Sequence, residues 1–72
     1  MSAKDAYLRC AEYATFHQVC AADDSERFAC HALAATFIDW AKEAGATDSE
    51  IRATMADAAE DGEKVNALTG GV

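Results

Sequence analysis

Apolar residues recur along the chain at alternating three- and four-residue spacing, which is the period of a helix that buries one side. Three segments carry such a stripe, at about 3–21, 25–44 and 48–61. The stripes are Ala3, Ala6, Cys10, Tyr13, His17 and Cys20; then Cys30, Leu33, Phe37, Trp40, Ala41 and Ala44; then Ile51, Met55 and Ala58. Strand signals are missing, because β-branched and aromatic residues never alternate over four or more positions. The pattern therefore predicts an all-α fold of three helices.

A capping pair begins each segment: a Ser, Thr or Asp with an acidic residue three positions later. The pairs are Ser2 with Asp5, Asp23 with Glu26, and Thr47 with Glu50. Gly45 stands just after the second stripe, where a helix C-terminus favours glycine. The third register continues through Gly62 toward Leu68, so the sequence leaves open whether this helix stops near 61. We expect one helical domain over 1–68 and a frayed tail over 69–72.

Short connections between the three segments make neighbouring helices antiparallel. The expected architecture is a small three-helix bundle, formed by a helical hairpin and a third helix. The first helix carries a second apolar group outside its stripe, made of Tyr7, Leu8, Phe16 and Val19. One face cannot bury both sets, so the first helix either lies at the centre of the bundle or forms the seam of a homodimer. The simplest interpretation of the other aromatic residues is a core of Tyr13, Phe28, Phe37 and Trp40.

The composition limits the size of this core. Of the 72 residues 51% are hydrophobic, but eighteen of these are alanine and three are cysteine. Small cores of this kind give little net stability, so we expect help from self-association or from a partner. A chain this short excludes a two-domain enzyme or a large cofactor cradle. No glycine-rich phosphate loop, nucleophile elbow or zinc-protease motif is present, and we expect no catalysis.

The charge narrows the range of partners. Thirteen acidic residues against six basic ones give a net charge of −7, which disfavours direct binding to nucleic acid or to an anionic membrane. No segment approaches the length of an apolar membrane helix, and the first residues lack the apolar run of a signal peptide. Three cysteines fit poorly with a secreted disulfide scaffold. We therefore expect a cytoplasmic protein with free thiols.

Acidic residues concentrate in the third helix. Between 46 and 63 the chain has six acids and one base, Arg52. Carboxylates four residues apart on a helix lie about 6 Å apart, similar to successive phosphates of a nucleic-acid strand, so such a surface can occupy a basic groove of another protein. A solvated helix face is the simpler alternative. The residues predicted to bind a partner are Glu50, Asp57, Glu60 and Asp61, with Tyr7 and Phe16 as apolar anchors.

Together these features predict a small, acidic, non-catalytic module that docks on a larger protein and modulates or inhibits it. The nearest analogy of class is with the small acidic inhibitors made by bacteria and their phages, which include inhibitors of host defence nucleases. The alternative function is metal binding or thiol redox chemistry. Its zinc or copper site would combine His17, Cys20 and Cys30, with Cys10 or His31 as a further ligand.

Overall fold

Three helices make up the part of the chain that the computed structural model describes, residues 2–68. They are α1 (Ala3–Cys20), α2 (Asp24–Glu43) and α3 (Asp48–Leu68), and they pack as the predicted three-helix bundle. The third helix continues through Gly62 to Leu68, which decides the alternative that the sequence left open. The predicted tail, 69–72, lies outside the described residues. Among the described residues, no helix combines the length and apolar character needed to cross a membrane.

Each helix begins at the capping residue that the sequence predicts. At the start of α3 the capping is reciprocal: the Glu50 N–H donates to Thr47 Oγ1, and the Thr47 N–H donates to Glu50 Oε1, both at 3.1 Å. Gly45 adopts a φ of 104° after α2, a conformation that glycine reaches without strain. At the start of α1, Ser2 Oγ accepts a hydrogen bond from the Asp5 N–H at 3.2 Å, and at the start of α2, Asp23 Oδ1 accepts one from the Glu26 N–H at 2.8 Å.

The first helix lies at the centre of the bundle. α1 packs against both α2 and α3, whereas α2 and α3 make only marginal contact with each other. α2 runs antiparallel to α1, and α3 runs parallel to it. The cross-helix pairs that fix these directions are Tyr7 with Trp40, Gln18 with His31, Lys4 with Glu50 and Val19 with Asn66. Of the two arrangements open to the first helix, the central position is confirmed, and the homodimer stays a prediction.

Alanine and glycine form the contact surfaces between the helices. Ala11 and Ala41 are completely buried, and among the described residues alanines supply three of the six other buried positions. Gly62 lies so close to α1 that an added Cβ would fall 2.8 Å from Cβ of Val19. Small residues in these seams let the helices approach closely and leave little room for large side chains between them. The cluster with the largest buried side chains is Leu8 and Ile51 with Ala41, against which pack Tyr7, Ile38, Ala46 and Met55.

The predicted aromatic core is wrong in its main members. Phe28 is 75% exposed, Tyr13 is 68% exposed and Trp40 is 45% exposed, while Phe37 is half-buried. Leu33, a member of the second predicted stripe, is 53% exposed. The alanine seams explain this outcome, because closely packed helices carry their large side chains at the edge of the contact rather than within it.

The apolar stripe of α1 also lies outside the core. Its six members are exposed or half-buried, and α1 instead buries Leu8, Ala11 and Ala14. The periodicity groups the residues of one face correctly, but the neighbouring helices cover a different face. The stripe therefore borders a surface of α1 that α2 and α3 leave uncovered.

Candidate functional site

Two grooves flank the uncovered side of α1. One lies between α1 and α2, the other lies between α1 and α3, and Arg9 and Tyr13 border both of them. These two exposed side chains are four residues apart on one side of the helix, so they form a ridge between the grooves. We name the ridge and its two grooves the open face.

The groove between α1 and α2, named the apolar groove, is lined mostly by apolar side chains. It has a volume of about 680 Å³. The predicted stripes of α1 and α2 both contribute to it, so the residues that predict two buried faces instead line one depression that is open to solvent. Beyond the ridge, its walls are Cys10, Ala14 and His17 from α1 and Cys30, Leu33 and Phe37 from α2.

Aromatic rings extend the apolar groove toward the connection between α2 and α3. Tyr7 and Trp40 lie edge to face with their ring centres 5.7 Å apart, and Phe37 approaches Trp40 at 5.6 Å. Ala3 lines a shallower depression beside Tyr7 and Trp40, which we include in the open face. The apolar surface thus follows α1 from Ala3 to His17, roughly 21 Å of helix.

The groove between α1 and α3, named the acidic groove, combines carboxylates with apolar walls. Glu12 from α1 and Asp61 from α3 line its main volume of about 590 Å³, together with Phe16 and Ala58. A smaller depression beside it adds Asp5. Neither Glu12 nor Asp61 takes part in an ion pair with any residue in 2–68. Since three carboxylates outnumber the single base of this groove, Arg9, the local potential is negative.

Two of the four acids predicted to bind a partner are already paired. Lys4 Nζ donates to Glu50 Oε2 at 2.9 Å between α1 and α3, and Glu60 Oε1 lies 3.2 Å from Lys64 Nζ within α3. The hydrogen bonds from Lys4 and from the Thr47 backbone lower the pKa of Glu50, and the hydrogen bond and charge of Glu50 raise the pKa of Lys4. Glu50 therefore joins two helices and caps one of them.

The other two predicted acids remain available to a partner. Asp57 and Asp61 are exposed, and in the described part of the chain they take part in no ion pair. Asp61 lines the acidic groove, and Asp57 lies one helical turn earlier on the same side of α3. With Glu12 they form a group of three unpaired carboxylates at one side of the ridge.

The predicted anchors, Tyr7 and Phe16, are half-buried. Tyr7 packs against the buried cluster of the core, and Phe16 lines the acidic groove with its ring centre 5.7 Å from that of His17. Both side chains thus contribute to the fold as well as to the surface. Large apolar side chains with more exposure lie nearby on the open face, and they are Tyr13, Leu33 and Trp40.

The residues of the alternative metal site are not brought together. Cys20 lies beside α3, where its Sγ donates to the Gly62 carbonyl at 3.7 Å, whereas His17 and Cys30 line the apolar groove. Within residues 2–68, no group of three or more His, Cys, Asp or Glu side chains is arranged to hold a metal ion. The described residues therefore do not assemble the predicted His17–Cys20–Cys30 ligand set, because Cys20 contacts α3 rather than the groove that contains Cys30. All three cysteines carry free thiols.

Sequence reasoning placed Tyr13 in the core and gave no role to Arg9 or Glu12. One signal for their location was present. Arg9 and Tyr13 are four positions apart, so the stripe that contains Tyr13 has a charged residue at its border. Arginine is almost never fully buried without a partner, which argues against complete burial of that face.

Comparison of the chain with protein-family models, with curated proteins and with solved structures finds no significant match. The open face is therefore the basis for a functional conclusion.

Proposed function

We propose that this chain is a non-catalytic protein-binding module, which docks on a larger protein through its open face and modulates or inhibits that protein. One observation supports this most directly: large exposed apolar side chains lie beside unpaired carboxylates on a single surface. Tyr13, Leu33 and Trp40 lie along the edge between α1 and α2, and Glu12 and Asp61 line the neighbouring acidic groove.

Burial of these apolar side chains by a partner would supply the main driving force for binding. Fully burying one large apolar side chain contributes about 1.5–3 kcal/mol. Tyrosine, tryptophan and arginine are enriched among the residues that dominate interface energies, and the open face carries Tyr13, Trp40 and Arg9. The carboxylates orient the partner and attract a positive surface.

The charge and the thiols support two further parts of the proposal. A net charge of −7 suits a partner with a basic surface, such as one that binds nucleic acid, and occupation of that surface would inhibit it. Free thiols suit the reducing cytoplasm. The predicted homodimer is compatible with this function where it leaves the open face accessible to the larger protein.

Affinity capture with variants of the open face tests this function. The immobilised proteins are the wild type, a variant with Tyr13→Ala and Leu33→Ser, and a variant with Asp57→Lys and Asp61→Lys. Each is incubated with a lysate of the cells that make the protein. We expect the wild type to retain a partner in stoichiometric amount, and both variants to lose it because each removes one part of the binding surface.

A charge-matched variant controls for the lysine substitutions. Asp39→Lys with Glu63→Lys makes the same change of charge at two exposed positions. Asp39 lies two residues after Phe37 in α2, and Glu63 lies two residues after Asp61 in α3. Since two residues correspond to about 200° of rotation, both substitutions lie on the side of their helix opposite to the open face. This control should retain the partner. Retention by the Asp57/Asp61 variant would contradict the role of the acids, and retention by both variants would overturn the open face as the binding surface.

The predicted anchors require their own variants. Tyr7→Ala and Phe16→Ala are tested for capture together with their free energy of unfolding, because both side chains are half-buried. Loss of the partner at unchanged stability would support an anchor role. Capture at the level of the wild type would contradict it.

A further inference from the structure

We infer that the occupant of the open face is an amphipathic helix of the partner protein, with apolar side chains in the apolar groove and Lys or Arg side chains over the acidic groove. Because it names the kind of partner, the inference rests on the proposed function. The partner helix would lie along the ridge of Arg9 and Tyr13, between the edges of α2 and α3. With α1, α2 and α3 it would form a bundle of four helices in which α1 is covered on its open side.

The spacing of the apolar residues favours a helical occupant. The stripe of α1 and the stripe of α2 both repeat at three and four residues, the pattern by which side chains of one helix insert between those of another. Since both stripes reach the same groove, one added helix can pack against α1 and α2 together. The apolar surface along α1 measures roughly 21 Å, which matches about 14 residues of helix. Cys10, Tyr13 and His17 of α1 face Cys30, Leu33 and Phe37 of α2 across the apolar groove.

The depth of the apolar groove also suits a helix with aliphatic side chains. Ala14 is buried at its floor, whereas Tyr13 and Leu33 are exposed at its rim. Small residues at the floor and large ones at the rim create a volume of about 680 Å³. Leucine or isoleucine side chains of a partner helix would fill this volume and cover the rim.

Charge complementarity selects a basic helix. On the α3 side of the ridge, Glu12, Asp57 and Asp61 make no ion pair within residues 2–68. A lysine or arginine on the edge of the partner helix that faces α3 would meet these carboxylates, whereas an acidic helix would be repelled. The apolar groove lies on the α2 side of the ridge, so the edge of the partner helix that faces α2 carries the apolar side chains.

A second copy of this chain is a poorer occupant of the open face. The chain has thirteen acids and six bases. Among the residues that line the two main grooves, Arg9 is the single lysine or arginine. Two open faces therefore do not neutralise each other, and their carboxylates oppose association.

A synthetic helix tests the inference directly. The probe is a peptide of about 18 residues with leucine at three- and four-residue spacing, arginine along one edge of that stripe, and no tryptophan. Two matched peptides replace the arginines by glutamate or the leucines by serine. Trp40 is the one tryptophan of the chain and lies on the open face, so its fluorescence reports binding.

We expect the arginine–leucine peptide to bind, and both matched peptides to bind about tenfold more weakly or worse. Glu12→Gln with Asp61→Asn should weaken the arginine peptide about tenfold and remove its advantage over the glutamate peptide. Leu33→Ser should weaken both peptides that contain leucine, because it removes part of the apolar surface that the leucines contact. The matched control, Asp39→Asn with Glu63→Gln, alters two carboxylates away from the open face and should leave binding unchanged.

Equal binding of the arginine and glutamate peptides would contradict the inference that the partner helix is basic. If none of the peptides binds, the inference that the occupant is a helix is wrong. A homodimer in analytical ultracentrifugation that Leu33→Ser dissociates would assign the open face to a second copy and overturn the inference as well. The capture experiment decides the proposed function separately. If a cellular partner is lost with the open-face variants while the peptides fail, the module stands and only the basic helix is wrong.

Discussion

Gly62 sets how closely α1 and α3 approach each other. A Cβ at this position would lie 2.8 Å from Cβ of Val19 and 3.4 Å from the Phe16 carbonyl oxygen. Val19 is β-branched, and its Cβ is fixed to the backbone, so it cannot swing away. The same contact brings Asn66 Nδ2 to the Val19 carbonyl at 3.0 Å and Cys20 Sγ to the Gly62 carbonyl. One missing methyl group thus permits the hydrogen bonds that hold the end of α1.

Gly62→Ala should destabilise the protein although alanine has the higher helix propensity. Propensity favours alanine by about 1 kcal/mol, but overpacking of a tight contact costs about 1–3 kcal/mol. We expect the free energy of unfolding, measured by urea denaturation, to fall by about 1 kcal/mol. Ala56→Gly, at an exposed position of α3, isolates propensity and should also lower it by about 1 kcal/mol. A Gly62→Ala protein that is more stable than the wild type would contradict this prediction, because it would show that α1 and α3 can move apart at Val19 without a cost in stability.

At the scale of the helices, the ion pair of Lys4 and Glu50 joins the first turns of α1 and α3. The pKa of Glu50 is lowered, so its contribution to stability is present above the usual value of 4.5 and is lost as the pH falls through the lowered pKa. The pKa of Lys4 is raised, so its contribution is complete below 10.5 and is lost as the pH rises through the raised pKa. The pair therefore stabilises the contact between α1 and α3 across the neutral range.

Glu50→Gln removes the charge and keeps an acceptor for the cap at Thr47. We expect the wild type to have a higher thermal midpoint than Glu50→Gln at neutral pH. The difference should vanish in acid, at a pH below the lowered pKa of Glu50, because the wild-type carboxyl is then uncharged too. Glu60→Gln changes an exposed pair within α3 and serves as the control, with a smaller effect expected. A difference that persists unchanged in acid would contradict an ionic contribution from Glu50.

The helices could be predicted from the sequence because their signals are local. Each capping pair lies within four residues, and Gly45 marks the end of α2 by its own conformation. The buried side of α1 could not be predicted, because this helix is apolar on more than one side. Its choice depends on how closely the three helices approach, and that depends on small residues far apart in sequence, Ala11, Ala41 and Gly62.

The candidate site was accessible to sequence reasoning only in part. The charge pattern of α3 indicates Asp57 and Asp61, since a run of acids is visible without a structure. The exposure of Leu33 was not accessible, because periodicity shows which residues share a face and not what covers it. For Tyr13 the one signal was Arg9, a charged residue four positions earlier. The α3 carboxylates of the open face were therefore proposed from the sequence, whereas Glu12 was not, and Tyr13, Phe37 and Trp40 were assigned to the core.

For the molecule as a whole, many of its large apolar side chains lie outside the core. Leu33 is 53% exposed, whereas Ile51 is buried. Leu33→Ser should therefore change the free energy of unfolding by no more than about 0.5 kcal/mol, and Ile51→Ala should lower it by about 2 kcal/mol or more. Urea denaturation of the two variants measures both effects. Equal losses would mean that Leu33 belongs to the core and that the open face is covered.

A buried alanine has no side-chain torsion to immobilise, so the alanine positions of the helix contacts become buried without loss of side-chain conformational entropy. An exposed side chain such as Leu33 is instead ordered mainly when a partner covers it, so that entropy cost belongs to binding. Folding and association thus depend on largely different residues, although Tyr7, Phe16 and Ala14 belong to both sets. Substitutions that retune affinity or exchange one partner for another can accumulate on the open face while the alanine seams, and with them the bundle, stay the same.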